Sequence, residues 1–219
     1  MRIYLRLSPT KELIPFNYQS FLTGALHKWM GEDNVEHGKV SLYSFSWLQN
    51  ADATDKGVRL KRGSYFFISA HDEGLIKTIV KGIMDDPSVC FGSFVLAVDI
   101  EETPFFSNFR HFSVASPVFV RRYNGDKHNH IGFDDENASA YLTETMRRKL
   151  ALAGLPSDNV KVSFDGSYHS PRTKVVTYKG VGNRANICPV IVEGTPEQVA
   201  FAWNVGVGNS TGIGFGALK

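Results

Sequence analysis

The sequence predicts an α+β protein of two ferredoxin-like domains in tandem, residues 1–106 and 107–219, closed by a glycine-rich loop at the C-terminal end. Three observations carry this prediction. The first hundred residues read strand, helix, strand, strand, helix, strand. The second half repeats that order less clearly, and residues 206–216 (GVGNSTGIGFG) hold five glycines in eleven positions. A length of 219 residues fits two domains of about 100 each.

Residues 2–8 (RIYLRLS) alternate Ile3, Leu5 and Leu7 with Arg2, Tyr4 and Arg6, the period of a half-buried strand. After Pro15, residues 16–30 (FNYQSFLTGALHKWM) place Phe16, Tyr18, Phe21, Leu22, Ala25, Leu26, Trp29 and Met30 close to helical spacing, and Gly31 follows as a stop. A polar loop leads into the β-branched and aromatic run 40–48 (VSLYSFSWL). A basic turn at 56–63 then leads into a second such run at 64–70 (SYFFISA). In the stretch 71–84, Leu75, Ile76, Ile79, Val80 and Ile83 share one face with Lys77 and Lys81 opposite, so an amphipathic helix is predicted, and 89–100 reads as a strand.

In the second half, 111–122 (HFSVASPVFVRR) reads as a strand and 138–154 as a helix. Residues 160–166, 173–179 and 186–194 read as strands. A helix opens at Thr195 with Pro196 behind it, which fits a hydroxyl cap followed by proline in the first turn. The glycine-rich loop and a short strand close the chain.

Composition excludes several classes. Cys90 and Cys188 each sit in an apolar run, which fits small buried side chains and excludes a disulfide framework and a structural zinc site. No apolar run approaches the roughly 18 residues of a membrane span, and the N-terminus lacks a signal-peptide core, so the expected location is the cytoplasm, with no membrane partner. The net charge of +2 conceals a segregation: residues 1–70 carry +3, 71–109 carry −5, 110–184 carry +5 and 185–219 carry −1. Such a distribution fits either a basic surface meeting a polyanion or ordinary solvated faces.

The glycine-rich segment follows a helix and does not precede one, so it is neither a Walker loop nor a Rossmann fingerprint. Glycines at alternate positions let backbone approach a bulky partner such as a phosphodiester chain, and equally suit a tight turn packed on a sheet. His128 and His130 lie in a polar stretch with Asp134 and Asp135, where an exposed pair and a metal-dependent nuclease site are both conceivable. His27 lies on the first helix and His37 in the loop after it, beside Gly38 and Lys39. Two imidazoles near a lysine suit RNA cleavage by its own 2′-hydroxyl, which needs a base, an acid and a cation for the charged phosphorane. Histidine holds either protonation state near neutrality, and the reaction calls for no metal and no cofactor.

Taken together, RIYLRLSP, IPFNYQSFLTGALHKWM, HGKVSLYSFSWL, SPVFV and GVGNSTGIGFGAL make the chain resemble the Cas6 family, the CRISPR-associated endoribonucleases of the RAMP superfamily that process repeat transcripts. The resemblance implies a tandem ferredoxin-like (RRM-like) fold and metal-independent cleavage of CRISPR repeat RNA to a 5′-hydroxyl and a 2′,3′-cyclic phosphate. It also implies catalytic residues from the first helix and the following loop. By that resemblance His37 is general acid or base, His27 its partner and Lys39 a phosphate stabiliser. RNA binding falls to the glycine-rich loop (Gly206, Gly208, Asn209, Ser210, Gly212, Gly214, Gly216) and to a basic groove of Arg121, Arg122, Arg172, Lys174 and Lys179, with Lys61 and Arg62 as a weaker pair. Phosphate contacts of this kind set affinity more than sequence choice. A catalytically inactive RNA-binding subunit of a guide-RNA complex is the main alternative. Hand-over to an interference complex and homodimerisation stay open.

Overall fold

A computed structural model of the chain describes residues 1–31, 40–124 and 127–219. β1 (Arg2–Leu7) buries Ile3, Leu5 and Leu7 on one face, as its alternation demands. α1 (Gln19–Met30) begins three residues later than its apolar pattern, because 16–18 form turns after Pro15, and it ends at Gly31. β2 (Tyr43–Phe45) is followed by a small hairpin, β3 (Asp52–Ala53) and β4 (Val58–Arg59), of which β4 lies inside the stretch read as a basic turn. β5 (Tyr65–Ala70), α2 (Glu73–Asp85) and β6 (Val95–Glu101) complete the first half, with the Asp72 side chain capping α2 by accepting from the Gly74 N–H. The sheet order is β2-β5-β1-β6, antiparallel throughout. That is the split βαβ arrangement with both helical crossovers. Leu22, Leu26, Trp29, Phe45, Phe66 and Ile68 form the core between helices and sheet.

The second half contains β7 (Phe109–Phe112), the hairpin β8 (Arg121–Asn124) and β9 (Lys127–His130), α3 (Ala138–Leu152) and β10 (Lys161–Phe164). There follow the hairpin β11 (Arg172–Tyr178) and β12 (Val181–Ile187), β13 (Val190–Glu193), α4 (Pro196–Val205) and a 3₁₀ turn at Thr211–Ile213. The sheet β10-β13-β7 holds three strands of the same plan. Just past the end of β7, residues 113–115 meet residues 217–219 through one bridge, Val114 to Leu218. The Ala115 N–H donates to Ala217 O (2.7 Å) and the Lys219 N–H to Ser113 O (2.8 Å).

Three predicted strands are corrected. The run 111–122 is not one strand: β7 stops at Phe112, Val118 makes a single bridge to Asn186, and Arg121 opens a hairpin. The run 186–194 is divided between β12 and β13 by Pro189, which has no N–H for a ladder. The C-terminal segment forms a 3₁₀ turn and one bridge where a short strand is predicted. α4 follows its sequence signal closely: the Thr195 hydroxyl accepts from the Gln198 N–H, and the Gln198 side chain accepts from the Thr195 N–H.

The two halves meet across β1 and α4. The buried Arg2 guanidinium lies between the Phe67 ring (3.9 Å to its centroid) and the Trp203 ring (3.7 Å), and its Nε donates to Ser69 Oγ at 2.6 Å. Cys90 and Cys188 are free thiols, the first partly and the second fully buried. No helix among the described residues is long and apolar enough to cross a membrane.

Candidate nucleic-acid interface

The glycine-rich segment is wedged between the halves, and its glycines are fitted to neighbours on both. A β-carbon at Gly216 would lie 1.9 Å from Val207 O, with φ at +63°, and one at Gly212 would lie 2.1 Å from Ser41 Oγ. Glycine is therefore required at both positions, at the first for conformation as well as space. Much of the backbone hydrogen bonding stays inside the protein: Val207 N–H to Gly216 O, Asn209 N–H to Phe119 O, and Gly216 N–H to Pro117 O. The Gln19 side-chain amide from α1 donates to the carbonyls of Ile213 and Gly214. The packed-turn reading thus describes Gly206, Gly208, Gly212, Gly214 and Gly216, all buried, while Asn209 and Ser210 stay half-exposed.

Asn209 and Ser210 border a cavity of about 510 Å³ between residues 40–41, β8, α3 and the turn 208–211. Its ionisable lining includes Arg121, Arg122, Arg148 and Lys149 against one carboxylate, Glu144. The Asn209 side-chain oxygen accepts from the Arg121 N–H at 2.8 Å, which ties the turn to β8. The Arg122 guanidinium packs 4.4 Å from the centre of the Tyr141 ring and donates to Glu144, so part of its charge is neutralised. The Arg121 guanidinium lies 5.3 Å from the centre of the exposed Tyr123 ring.

Lys149 is fully buried at the inner side of this cavity. Its ammonium donates to the carbonyls of Val205 and Gly206 at the end of α4 and to Thr211 Oγ1, at 3.1 to 3.2 Å. Burial pushes its pKa down to about 7, because the charged form loses its hydration.

The other predicted RNA-binding cations lie elsewhere. Arg172, Lys174 and Lys179 belong to the β11–β12 hairpin and its tip, and none lines the cavity. The Lys174 ammonium sits 5.0 Å from the centre of the Trp47 ring, whose N–H donates to Gly214 O, so it flanks the glycine-rich segment from another side. Lys61 pairs with Asp52 at 2.6 Å.

Among the proposed catalytic residues, His27 is half-buried on α1 and does not line the cavity. His37 and Lys39 lie outside the described residues, and the two residues that follow them, Val40 and Ser41, line the cavity. On β9, the His130 ring packs against Phe119 and its Nδ1 accepts from the Arg184 N–H. Desolvation, with Arg121, His128 and Arg184 nearby, lowers its pKa. Asp134 and Asp135 fall in the turn beyond β9, where the Asp135 carboxylate accepts from the Asn137 N–H. No three His, Cys, Asp or Glu side chains gather as metal ligands among the described residues.

Sequence reading missed Arg148 and Lys149. The signal is present: Leu142, Met146, Lys149 and Leu150 follow one another at steps of four, three and one, which puts a lysine on the buried face of α3.

Comparisons with known proteins bear on the family and the fold. The family described as CRISPR associated protein Cas6, C-terminal, matches residues 100–219. A CRISPR-associated endoribonuclease-like protein Cas6 of Pyrococcus furiosus is 26% identical over 239 residues, covering 100% of this chain and 98% of the relative. The solved structure of a Cas6-related gene product from Pyrococcus furiosus superposes with a TM-score of 0.85 at 24% identity, over 100% of this chain and 97% of that one. A RAMP protein described as binding different RNA substrates superposes at 0.86 and 22% identity, over 100% and 98%. With the family model matched over residues 100–219, more than half of its length, this chain belongs to the Cas6 family of CRISPR-associated proteins.

Proposed function

We propose that the chain is a metal-independent endoribonuclease that cuts CRISPR precursor RNA within its repeats. One observation carries the reading: in a member of the Cas6 family, a cavity with Arg121, Arg122, Arg148 and Lys149 in its lining is also lined by Val40 and Ser41, which in the sequence come one and two positions after Lys39 and three and four after His37. In this reading a base takes the proton of a 2′-hydroxyl, and the oxygen attacks the adjacent phosphorus. The P–O5′ bond breaks, and an acid protonates the departing 5′-oxygen. His37 and His27 are the acid–base pair, Lys39 offsets charge on the phosphorane, and the products carry a 5′-hydroxyl and a 2′,3′-cyclic phosphate. Arg121, Arg122, Asn209 and Ser210 hold the RNA backbone at the cavity, and Arg172, Lys174 and Lys179 extend the contact along the hairpin.

A second reading, an RNA-binding subunit without cleavage activity, is favoured by the placement of His27, which is not among the residues lining the cavity. One assay separates the two. Purified protein is incubated in EDTA with its cognate repeat RNA and with the same RNA carrying a 2′-deoxy group at the scissile nucleotide. Cleavage of the first and not the second supports the nuclease; binding without cleavage supports the subunit. Loss of cleavage in EDTA overturns the metal-independent mechanism. His27→Ala and His37→Ala should each lower the single-turnover rate by about 10² or more. Full rates in both variants would remove the histidines from the mechanism.

A further inference from the structure

A fully buried ammonium ordinarily has a carboxylate beside it, since neutral acceptors recover only part of the hydration it gives up. Lys149 has three neutral acceptors and, among the described residues, no ion pair. The groups lining its cavity make the imbalance larger. α3 contributes Glu144 and Arg148, β8 contributes Arg121 and Arg122, the turn contributes Ser210 and Thr211, and residue 41 contributes a hydroxyl. α4 presents the Val205 carbonyl, with that of Gly206 just beyond. Glu144 is already held by Arg122, which leaves Arg121, Arg148 and Lys149 lining one solvent-open cavity without an ion-pair partner among the described residues.

We infer that this cavity is a single-phosphate site in which the buried Lys149 ammonium is a positioning cation, and that one backbone phosphate of the RNA supplies the negative charge that the cavity lacks. This rests on the RNA-processing reading given above. Arg121, Arg148 and the Ser210 hydroxyl stand at the accessible side and would touch the phosphate oxygens. Lys149 acts from behind: it clamps Thr211 to the end of α4, which fixes the turn bearing Asn209 and Ser210, and its charge deepens the potential that the anion enters. Because burial pushes the Lys149 pKa down to about 7, an anion bound beside it would favour the protonated form, so phosphate binding and proton uptake at this side chain are coupled.

The test follows the Lys149 side chain by NMR in protein carrying labelled lysine, through a pH titration of the free protein, with saturating non-cleavable repeat RNA, and with inorganic pyrophosphate. The Lys149→Met variant identifies the resonance, and Lys149→Arg serves if the methionine variant does not fold. The expected result is a titration midpoint that rises by at least one pH unit with either ligand, equivalent to about tenfold tighter binding to the protonated form. Lys149→Met should also lower the salt dependence of RNA affinity by about 0.7 in log–log slope. If RNA binds and the Lys149 midpoint does not move, the phosphate site is wrong and the RNA-processing reading stands. If pyrophosphate moves the midpoint while RNA fails to bind, the site stands and that reading falls. No movement with either ligand overturns the inference.

Discussion

The Arg2 guanidinium donates a 2.7 Å hydrogen bond to the carbonyl oxygen of Leu218, joining the first strand to a residue 216 positions later. The contact is buried and flanked by the rings of Phe67 and Trp203. Arg2→Met would leave the Leu218 carbonyl and the Ser69 hydroxyl without this donor and lose both ring contacts. A destabilisation of about 3 kcal/mol is expected from urea unfolding, and Arg2→Lys should recover less than half of it, because one ammonium cannot reach both oxygens while stacking between the rings. A loss below about 1 kcal/mol would mean that the halves are held elsewhere.

Two glycines should respond to alanine with opposite signs. Gly24 lies in the interior of α1, exposed, with nothing within 4 Å of an added β-carbon, so Gly24→Ala should raise stability by nearly 1 kcal/mol. Gly216→Ala should lower it by roughly 2 kcal/mol or more, from left-handed strain and the clash with Val207 O. Paired thermal melts check both, and equal effects would refute the packing described for the glycine-rich turn.

The carboxylate of Glu144 neutralises Arg122 at the cavity. Glu144→Gln should therefore strengthen RNA binding by about fivefold at low salt, with the gain shrinking as salt screens it. Filter-binding isotherms at two salt concentrations decide this, and weaker binding of the variant at both would mean that the carboxylate contacts RNA directly.

Stability should depend on pH through Lys149. Its pKa falls from 10.5 to about 7 on folding, so between those values the unfolded chain carries more protons and stability rises with pH. Below about 7 the penalty for burying the charge is fully present. Relative to Lys149→Met, the RNA-free wild type should gain stability between pH 7 and 9, by at most about 1.4 kcal/mol per pH unit. A flat difference across that window would show that the ammonium is not desolvated.

The fold was legible where side-chain burial follows chain periodicity. β1 and α2 bury residues that their spacing marks, and the Thr195 start of α4 is visible in the letters. The hairpin β8–β9 was not, because its residues are almost all polar or charged and no apolar alternation marks it. For the site, the glycine pattern announced unusual backbone but not its purpose. That purpose lies in Ser41 and Val207, and only tertiary structure brings Ser41 against the turn. Lys149 was overlooked because it follows two other basic residues, a run that reads as a solvated surface unless the helix phase is traced from Leu142.

The hydrogen bonds from Gln19 to the carbonyls of Ile213 and Gly214 span nearly two hundred residues of chain. During synthesis, α1 and β2 have left the ribosome long before the turn that they cradle exists. The early sheet can form on its own schedule, but the wall of the cavity formed by residues 208–211 follows well over a hundred residues later. The cavity that the turn borders is therefore complete only once residues 208–211 have emerged and docked against Gln19 and Ser41.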